Sequence, residues 1–350
     1  MQNKPRLSWE KITLKLRNPF RLSYGVSETR QAYWIRLADD EGWGEGTIPP
    51  YYGVSPETMI AFWQNAAARE DPLPDEVEAV EGWAGFDGPA PARCALELAL
   101  YDRIARRNGL PLWQLLDLPC PQPQPTSFTI AIDTPEAMAK MAAEIPDFPV
   151  IKVKLGGDSE DAARLAAIRA ARPDARLRVD ANAGWMIDQA REYIRQMEAF
   201  DLEMIEQPLA KEAIEEMGLL QSYTSIPIVA DESVQTVHDV ERLARAGVSG
   251  INVKLMKTGG LTPALRLIRL AREYGMRIML GCMVETSLGT TAMAHLMGLG
   301  DWFDLDAPML ISNDPFDGIR YQNGAQVVIP DRPGIGAVLK PETDTGATDE

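Results

Sequence analysis

The chain has 350 residues, 45% hydrophobic and 25% charged, enough for a large domain and a smaller one with ordinary globular composition. A formal net charge of −16 leaves no basic footprint for nucleic acid, and no stretch of about 18 apolar residues offers a membrane span. The scattered Cys94, Cys120 and Cys282 suit reduced thiols rather than a disulfide frame, and residues 1–11 lack the apolar run of a signal peptide, so a cytoplasmic protein is expected.

In chain order, segments 7–15 and 33–38 alternate like antiparallel strands, and Asp39-Asp40-Glu41-Gly42 makes a turn into Trp43. Helical spacing follows at 56–69 and 91–108, and the proline-rich stretch 119–125 reads as a linker out of this α+β unit. Beyond it, strand-like runs fall at 127–132, 150–155, 177–182, 204–207, 227–232, 250–255, 277–285 and 302–306. Amphipathic helical segments lie between most of them, for example 159–171, 187–200, 237–246 and 262–274. Asp188, Thr236 and Thr262 stand at expected helix starts, and Gly247 and Gly275 at helix ends. After about residue 310 short strands and turns return, positioned to pack back on the first unit, and the acidic tail 341–350 is expected to fray.

Eight strands alternating with helices predict a closed parallel (β/α) barrel. An open doubly wound sheet is the alternative, but its glycine-rich turn should follow the first strand. Gly156-Gly157 follows the second and lacks the GxGxxG pattern.

Charged residues crowd the predicted strand ends. They are Lys152 and Lys154 on the second strand, Asp180 on the third, Glu206 on the fourth and Asp231 on the fifth. Lys254 ends the sixth, Glu285 the seventh, and Asp304 with Asp306 the eighth. Any one of these reads as a helix cap or a solvated edge residue, but their order argues for a shared site. Side chains two apart share a strand face, and all strand C-termini of such a barrel face one mouth. Asp180, Glu206 and Asp231 form an oxygen-rich set suited to one Mg²⁺ per subunit. Lys154 and Lys254 come from strands four apart and therefore oppose each other, as two bases acting on the two faces of a planar intermediate would. Lys152 would stabilise the enediolate, and nearby positive charge is expected to lower the lysine pKa values. His238 and His295 fall in helical stretches and read as structural or surface residues.

The motifs Ile151-Lys152-Val153-Lys154, Val179-Asp180-Ala181-Asn182, Ile205-Glu206-Gln207-Pro208, Ala230-Asp231-Glu232-Ser233 and Asn252-Val253-Lys254 resemble the muconate-lactonizing subgroup of the enolase superfamily. Gly42-Trp43-Gly44-Glu45-Gly46 and the helix 92–106 extend the resemblance over essentially the full chain. It implies a (β/α)₇β modified TIM barrel, residues 125–309, under an α+β capping domain, residues 1–124 completed by about 310–350. Asp304-Leu305-Asp306 is similar to the element by which dipeptide epimerases hold the substrate's α-ammonium group. The implied activity is Mg²⁺-dependent inversion of the α-carbon beside a dipeptide carboxylate, with Glu285 also contacting substrate. The alternatives are a muconate-type cycloisomerase or an o-succinylbenzoate synthase on the same scaffold, and, in a different class, a non-catalytic binding barrel.

Members acting on Ala-Glu place an Arg in the loop after the first strand, where this chain has Gly25. Arg21 or Arg30 could substitute from another angle, while Tyr24, Tyr51 and Tyr52 suggest a pocket for an apolar or aromatic side chain. The expected partner is a small dipeptide, with neither nucleic acid nor membrane. A homo-oligomer is compatible with this reading.

Overall fold

The computed structural model describes residues 6–22, 25–37, 40–48 and 52–341. Three antiparallel strands open the chain: β1 (Leu7–Leu22), β2 (Gly25–Leu37) and β3 (Trp43–Thr47), hydrogen-bonded in that order. Tyr33, Ile35 and Leu37 alternate on the buried face of β2, as period-two patterning requires. The helix Ala90–Asn108 packs on β3, its residues 91–105 all buried except Arg93. The approach is close because β3 carries glycine where backbones meet: a Cβ on Gly44 would stand 1.9 Å from the carbonyl oxygen of Ala95.

After β4 (Gln124–Pro125) comes the barrel. Its strands are β5 (Phe128–Ile130), β6 (Val150–Lys154), β7 (Arg176–Asp180), β8 (Leu202–Glu206), β9 (Ile228–Ala230), β10 (Gly250–Val253), β11 (Arg277–Gly281) and β12 (Trp302–Asp304). Each pairs in parallel with the next in one eight-stranded sheet. Across the remaining seam, Ser127 N donates to Phe303 O at 3.1 Å and Leu305 N to Thr126 Oγ1 at 2.7 Å. Helices follow each of the first seven strands, whereas β12 leads only into the single turn Ala307–Leu310. The protein has the (β/α)₇β barrel fold.

Alternation along the strands sorts the core into two layers. Ile151, Val153, Leu177, Val179 and Ile205 face the helices, while Met204, Val229, Met279 and Trp302 form a separate cluster. The polar partners Lys152, Lys154, Arg178, Asp180 and Glu206 occupy the same alternate positions as Met204.

Thr236 caps its helix, its hydroxyl accepting from Asp239 N, and Gly247 and Gly275 follow helix ends with φ of 90° and 72°. Two expected caps are corrected. The helix Ile187–Met197 begins before Asp188, which sits in its first turn where negative charge suits the helix dipole. The helix Leu261–Glu273 begins before Thr262, whose N–H is taken instead by Glu97 from the distant helix Ala90–Asn108. The expected strand 277–285 ends at Gly281, leaving Glu285 in the following loop.

The last segment forms β13 (Phe316–Asp317), β14 (Arg320–Gln322), β15 (Gln326–Val328) and β16 (Val338–Leu339). Ser312 and Asn313 hydrogen-bond to Lys15 and Thr13 of β1, and Phe316 packs edge-on against Trp34 and Trp43. The tail 342–350, Tyr24 and Tyr51 lie outside the described residues. Among the described residues no helix is long and apolar enough to cross a membrane.

Candidate active site

Strand ends β6 to β10 and β12 converge on one buried polar cluster. Lys152 Nζ lies 2.8 Å from Asp304 Oδ2, 2.8 Å from Glu206 Oε2 and 3.0 Å from Asp180 Oδ2. Lys154 Nζ reaches Asp180 Oδ2 at 2.5 Å. On the far side, Lys254 Nζ donates to Asp231 Oδ2 at 2.7 Å. The two expected bases are thus held by carboxylates from different strands, with β7, β8 and β9 between them. Asp304 Oδ1 also accepts from Ser127 Oγ at 2.6 Å, and Asp306 Oδ2 accepts the Thr129 N–H at 2.7 Å, so both acids stand at the barrel seam.

The loops after the strands are shaped to present these groups. Asn182, Ala183 and Gln207 adopt positive φ of 42°, 60° and 36°, uncommon for non-glycine residues and typical of functional turns. Gln207 Oε1 accepts the N–H groups of Asp231 and Ser233, tying the turn after β8 to that after β9. Asn252 Nδ2 donates to Glu206 Oε1 at 2.8 Å and leaves Oε2 to Lys152, close enough to pair but without hydrogen-bond geometry.

Charge is unevenly distributed in this cluster. Burial raises the Glu206 pKa to about 8, with the Asp180 charge adding to it. Burial also opposes ionisation of Asp180, but Lys152 and Lys154 outweigh it and hold that carboxyl at about 2. Asp231 is held below the usual carboxylate range in the same way, by Lys254 and Lys257 against burial. Glu232 and Asp306 rise to about 7, each through burial and then the charge of an acidic neighbour. The expectation that positive neighbours lower the lysines is corrected for Lys254. Burial does push it down, but Asp231 and Glu206 more than compensate and leave it raised.

Buried here are Asp180, Glu206, Asp231, Glu232, Asp304 and Asp306 against Lys152, Lys154, Lys254 and Lys257, six acids facing four amines. The crowding is relieved here by raised pKa values at Glu206, Glu232 and Asp306, and the all-oxygen donor set fits a hard divalent ion, whose charge would favour the ionised acids. As placed, Asp180 and Glu206 turn to Lys152, and Asp231 to two lysines. Among the described residues, therefore, no three acidic, cysteine or histidine side chains converge as a ready ligand set.

Lys257 was not anticipated. Its fully buried ammonium donates to Asp231 Oδ1, Asp231 O and Asn252 O, which joins the ends of β9 and β10. A signal existed in Lys254-Leu255-Met256-Lys257, since residues three apart meet on one helical turn. Glu45, within the Gly42-Trp43-Gly44-Glu45-Gly46 motif, is buried against the turn after Glu285. Glu285 is buried and pushed well above the usual carboxyl range by burial and by Glu45. Arg21 lines a largely apolar cavity of about 310 Å³ with Phe20, Phe128, Met138 and Met309, while Arg30 lies along β2 opposite Leu14. The Tyr52 hydroxyl is raised by burial and then by Asp231, which places this ring within the field of the cluster. His295 is buried and hydrogen-bonded to Trp113 and Ile335, and His238 is exposed on a helix.

Residues 134–343 match the family model described as Enolase C-terminal domain-like. The L-Ala-D/L-Glu epimerase of Bacteroides thetaiotaomicron is 33% identical over 341 residues, which cover 96% of this chain and 88% of that protein. The hydrophobic dipeptide epimerase of Roseobacter litoralis is 33% identical over 362 residues, covering 95% and 99%. A solved dipeptide epimerase from Cytophaga hutchinsonii, complexed with Mg and the dipeptide D-Ala-L-Val, superposes with a TM-score of 0.89 at 31% identity, covering 96% of both chains.

Proposed function

The chain belongs to the enolase superfamily, and from that premise we propose that it is a dipeptide epimerase, an isomerase that inverts the α-carbon beside the dipeptide carboxylate. One observation carries this reading: Lys154 and Lys254 flank the cluster from strands four apart, each held by its own carboxylate, Asp180 or Asp231. One lysine removes the α-proton and the other returns a proton to the opposite face, a 1,1-proton transfer through an enediolate. General acid and base groups of this kind contribute about 10²- to 10⁴-fold each.

Asp180, Glu206 and Asp231 would hold Mg²⁺. When bound, the ion supplies Lewis-acid stabilisation of charge developing on the substrate carboxylate. Lys152, buried between Asp180, Glu206 and Asp304, adds positive charge on the same side. Asp304 and Asp306 at the seam hold the α-ammonium group, and Glu285, in the loop after β11, contacts the substrate. In the same reading, residues 1–124 with 310–350 cap a barrel of residues 125–309. Tyr52 and its neighbours favour an apolar or aromatic side chain. A muconate-type cycloisomerase or succinylbenzoate synthase has no ammonium to bind and would leave the Asp304 and Asp306 pair without a use.

Incubating L,L-dipeptide panels in D₂O and reading α-deuteration by mass spectrometry tests the reading, with lactone turnover as the competing arm. Lack of α-exchange with every dipeptide would sink it. Lys154→Ala should abolish exchange from one stereoisomer about 10²-fold more severely than from the other, with Lys254→Ala giving the reverse. Equal residual rates on both isomers would overturn the two-base scheme.

A further inference from the structure

We infer that Glu45, on β3 of the N-terminal sheet, is a positioning residue for the barrel's reaction, holding the turn that presents Glu285. The inference rests on the epimerase reading for its kinetic consequence, but its geometry stands independently. Glu45 is 1% exposed and accepts three hydrogen bonds from the start of the helix Ser287–Ala294. These come from Thr286 N at 2.9 Å, Thr286 Oγ1 at 2.5 Å and Gly289 N at 3.0 Å. The partners are 241 and 244 residues away in sequence, so β3 is stapled to the segment that follows β11.

Glu285 depends on that segment. Its carboxyl receives a long contact of 3.5 Å from Thr290 Oγ1 in the following helix and a backbone N–H from Met283 just before it. The turn is in turn fixed by Glu45. The two acids also converge: a Cβ on Gly289 would stand 3.2 Å from Glu45 Oε2 and 3.2 Å from Glu285 Cδ. The helix does not require Glu45 as its sole cap, because the Thr286 hydroxyl already accepts from Leu288 N at 3.1 Å. Seating a second buried carboxyl beside Glu285 is costly for stability, and a glutamine or an apolar residue would avoid that cost. The arrangement makes sense if the carboxylate orients the turn. β3 reaches the segment after Lys254 as well, where Thr47 N donates to Met256 Sδ at 3.4 Å. One strand of the N-terminal sheet thereby touches the segments following both Lys254 and Glu285.

The test is a double-mutant cycle on the intact chain, using the L,L-dipeptide turned over fastest in the panel above. Glu45→Ala should lower kcat/KM by about tenfold or more, and Glu45→Gln, which keeps one acceptor oxygen, should recover part of the loss. In a Glu285→Gln background the same Glu45→Ala change should cost less than about threefold, because the two residues act as one unit. Amide hydrogen exchange should rise across residues 283–290 in Glu45→Ala and remain unchanged in the barrel strands. A lowered Tm with kcat/KM within about twofold of the parent, or a full additional penalty in the Glu285→Gln background, would overturn the inference. If the parent protein exchanges no dipeptide α-proton, the epimerase reading falls by itself and hydrogen exchange decides for Glu45. Unchanged protection of 283–290 in Glu45→Ala would then reject its positioning role.

Discussion

At the scale of single residues, His295 shows how a buried titratable group can serve the fold rather than the chemistry. Its Nδ1 accepts the Trp113 N–H at 3.2 Å and its Nε2 donates to Ile335 O at 3.0 Å, so the neutral ring ties three distant segments together. Protonation would turn Nδ1 into a donor facing another donor, and burial lowers the pKa to about 4. The unfolded chain binds this proton near pH 6.5 and the folded chain does not, so the contribution is complete above about 6.5 and is lost as pH falls towards 4. The stability advantage of the parent over His295→Gln should shrink by about 3 kcal/mol across that window in urea melts. An advantage independent of pH would show that the ring is not buried in its neutral form. Lys257 illustrates the converse, a buried cation whose three donors all find acceptors around Asp231 and Asn252.

Within the elements, the period-two rule does most of the positioning. Lys152 and Lys154 share a face of β6, and Arg178 and Asp180 share one of β7, so a one-residue slip would bury the helix-facing valines in the mouth. The N-terminal sheet depends instead on the absence of side chains. Gly44 permits the helix Ala90–Asn108 to lie against β3, and a single methyl there would meet Ala95 O at 1.9 Å. Gly44→Ala should therefore destabilise the protein by about 3 kcal/mol in denaturant melts, with a matching loss of any contact made through Glu45 one residue on. A change below about 0.5 kcal/mol would show that strand and helix separate easily.

For the molecule as a whole, the proposed hold of Asp180, Glu206 and Asp231 on Mg²⁺ would link folding to cation binding. A divalent ion bound only by the folded state stabilises it by about 2.7 kcal/mol at a hundredfold excess over its dissociation constant. Adding Mg²⁺ after EDTA treatment should raise Tm by a few degrees, and Glu206→Gln should abolish most of that rise. An identical Tm in EDTA and in saturating Mg²⁺ would count against Asp180, Glu206 and Asp231 as ligands, whatever the fate of the dipeptide assay. The chain return after residue 310 belongs to this scale too. Phe316 completes an edge-to-face cluster with Trp34 and Trp43, whose rings lie 282 and 273 residues earlier in the chain.

Strand order, barrel closure and the charged strand ends were legible in the sequence because they follow from local periodicity. Apolar residues alternate with Lys, Asp and Glu along runs of about five residues, and the parallel barrel aims every such end at one mouth. Only the tertiary structure decided which group holds which. Asp188 and Thr262 look like helix caps in sequence, but Gln189 reaches back to Met186 N and Glu97 arrives from another helix to take Thr262 N. Glu45 and Lys257 gain their roles from contacts to Thr286 and Asp231 across 241 and 26 residues. Local pattern determines where a side chain leaves the backbone; the partner it meets depends on distant segments, and packing alone brings those together.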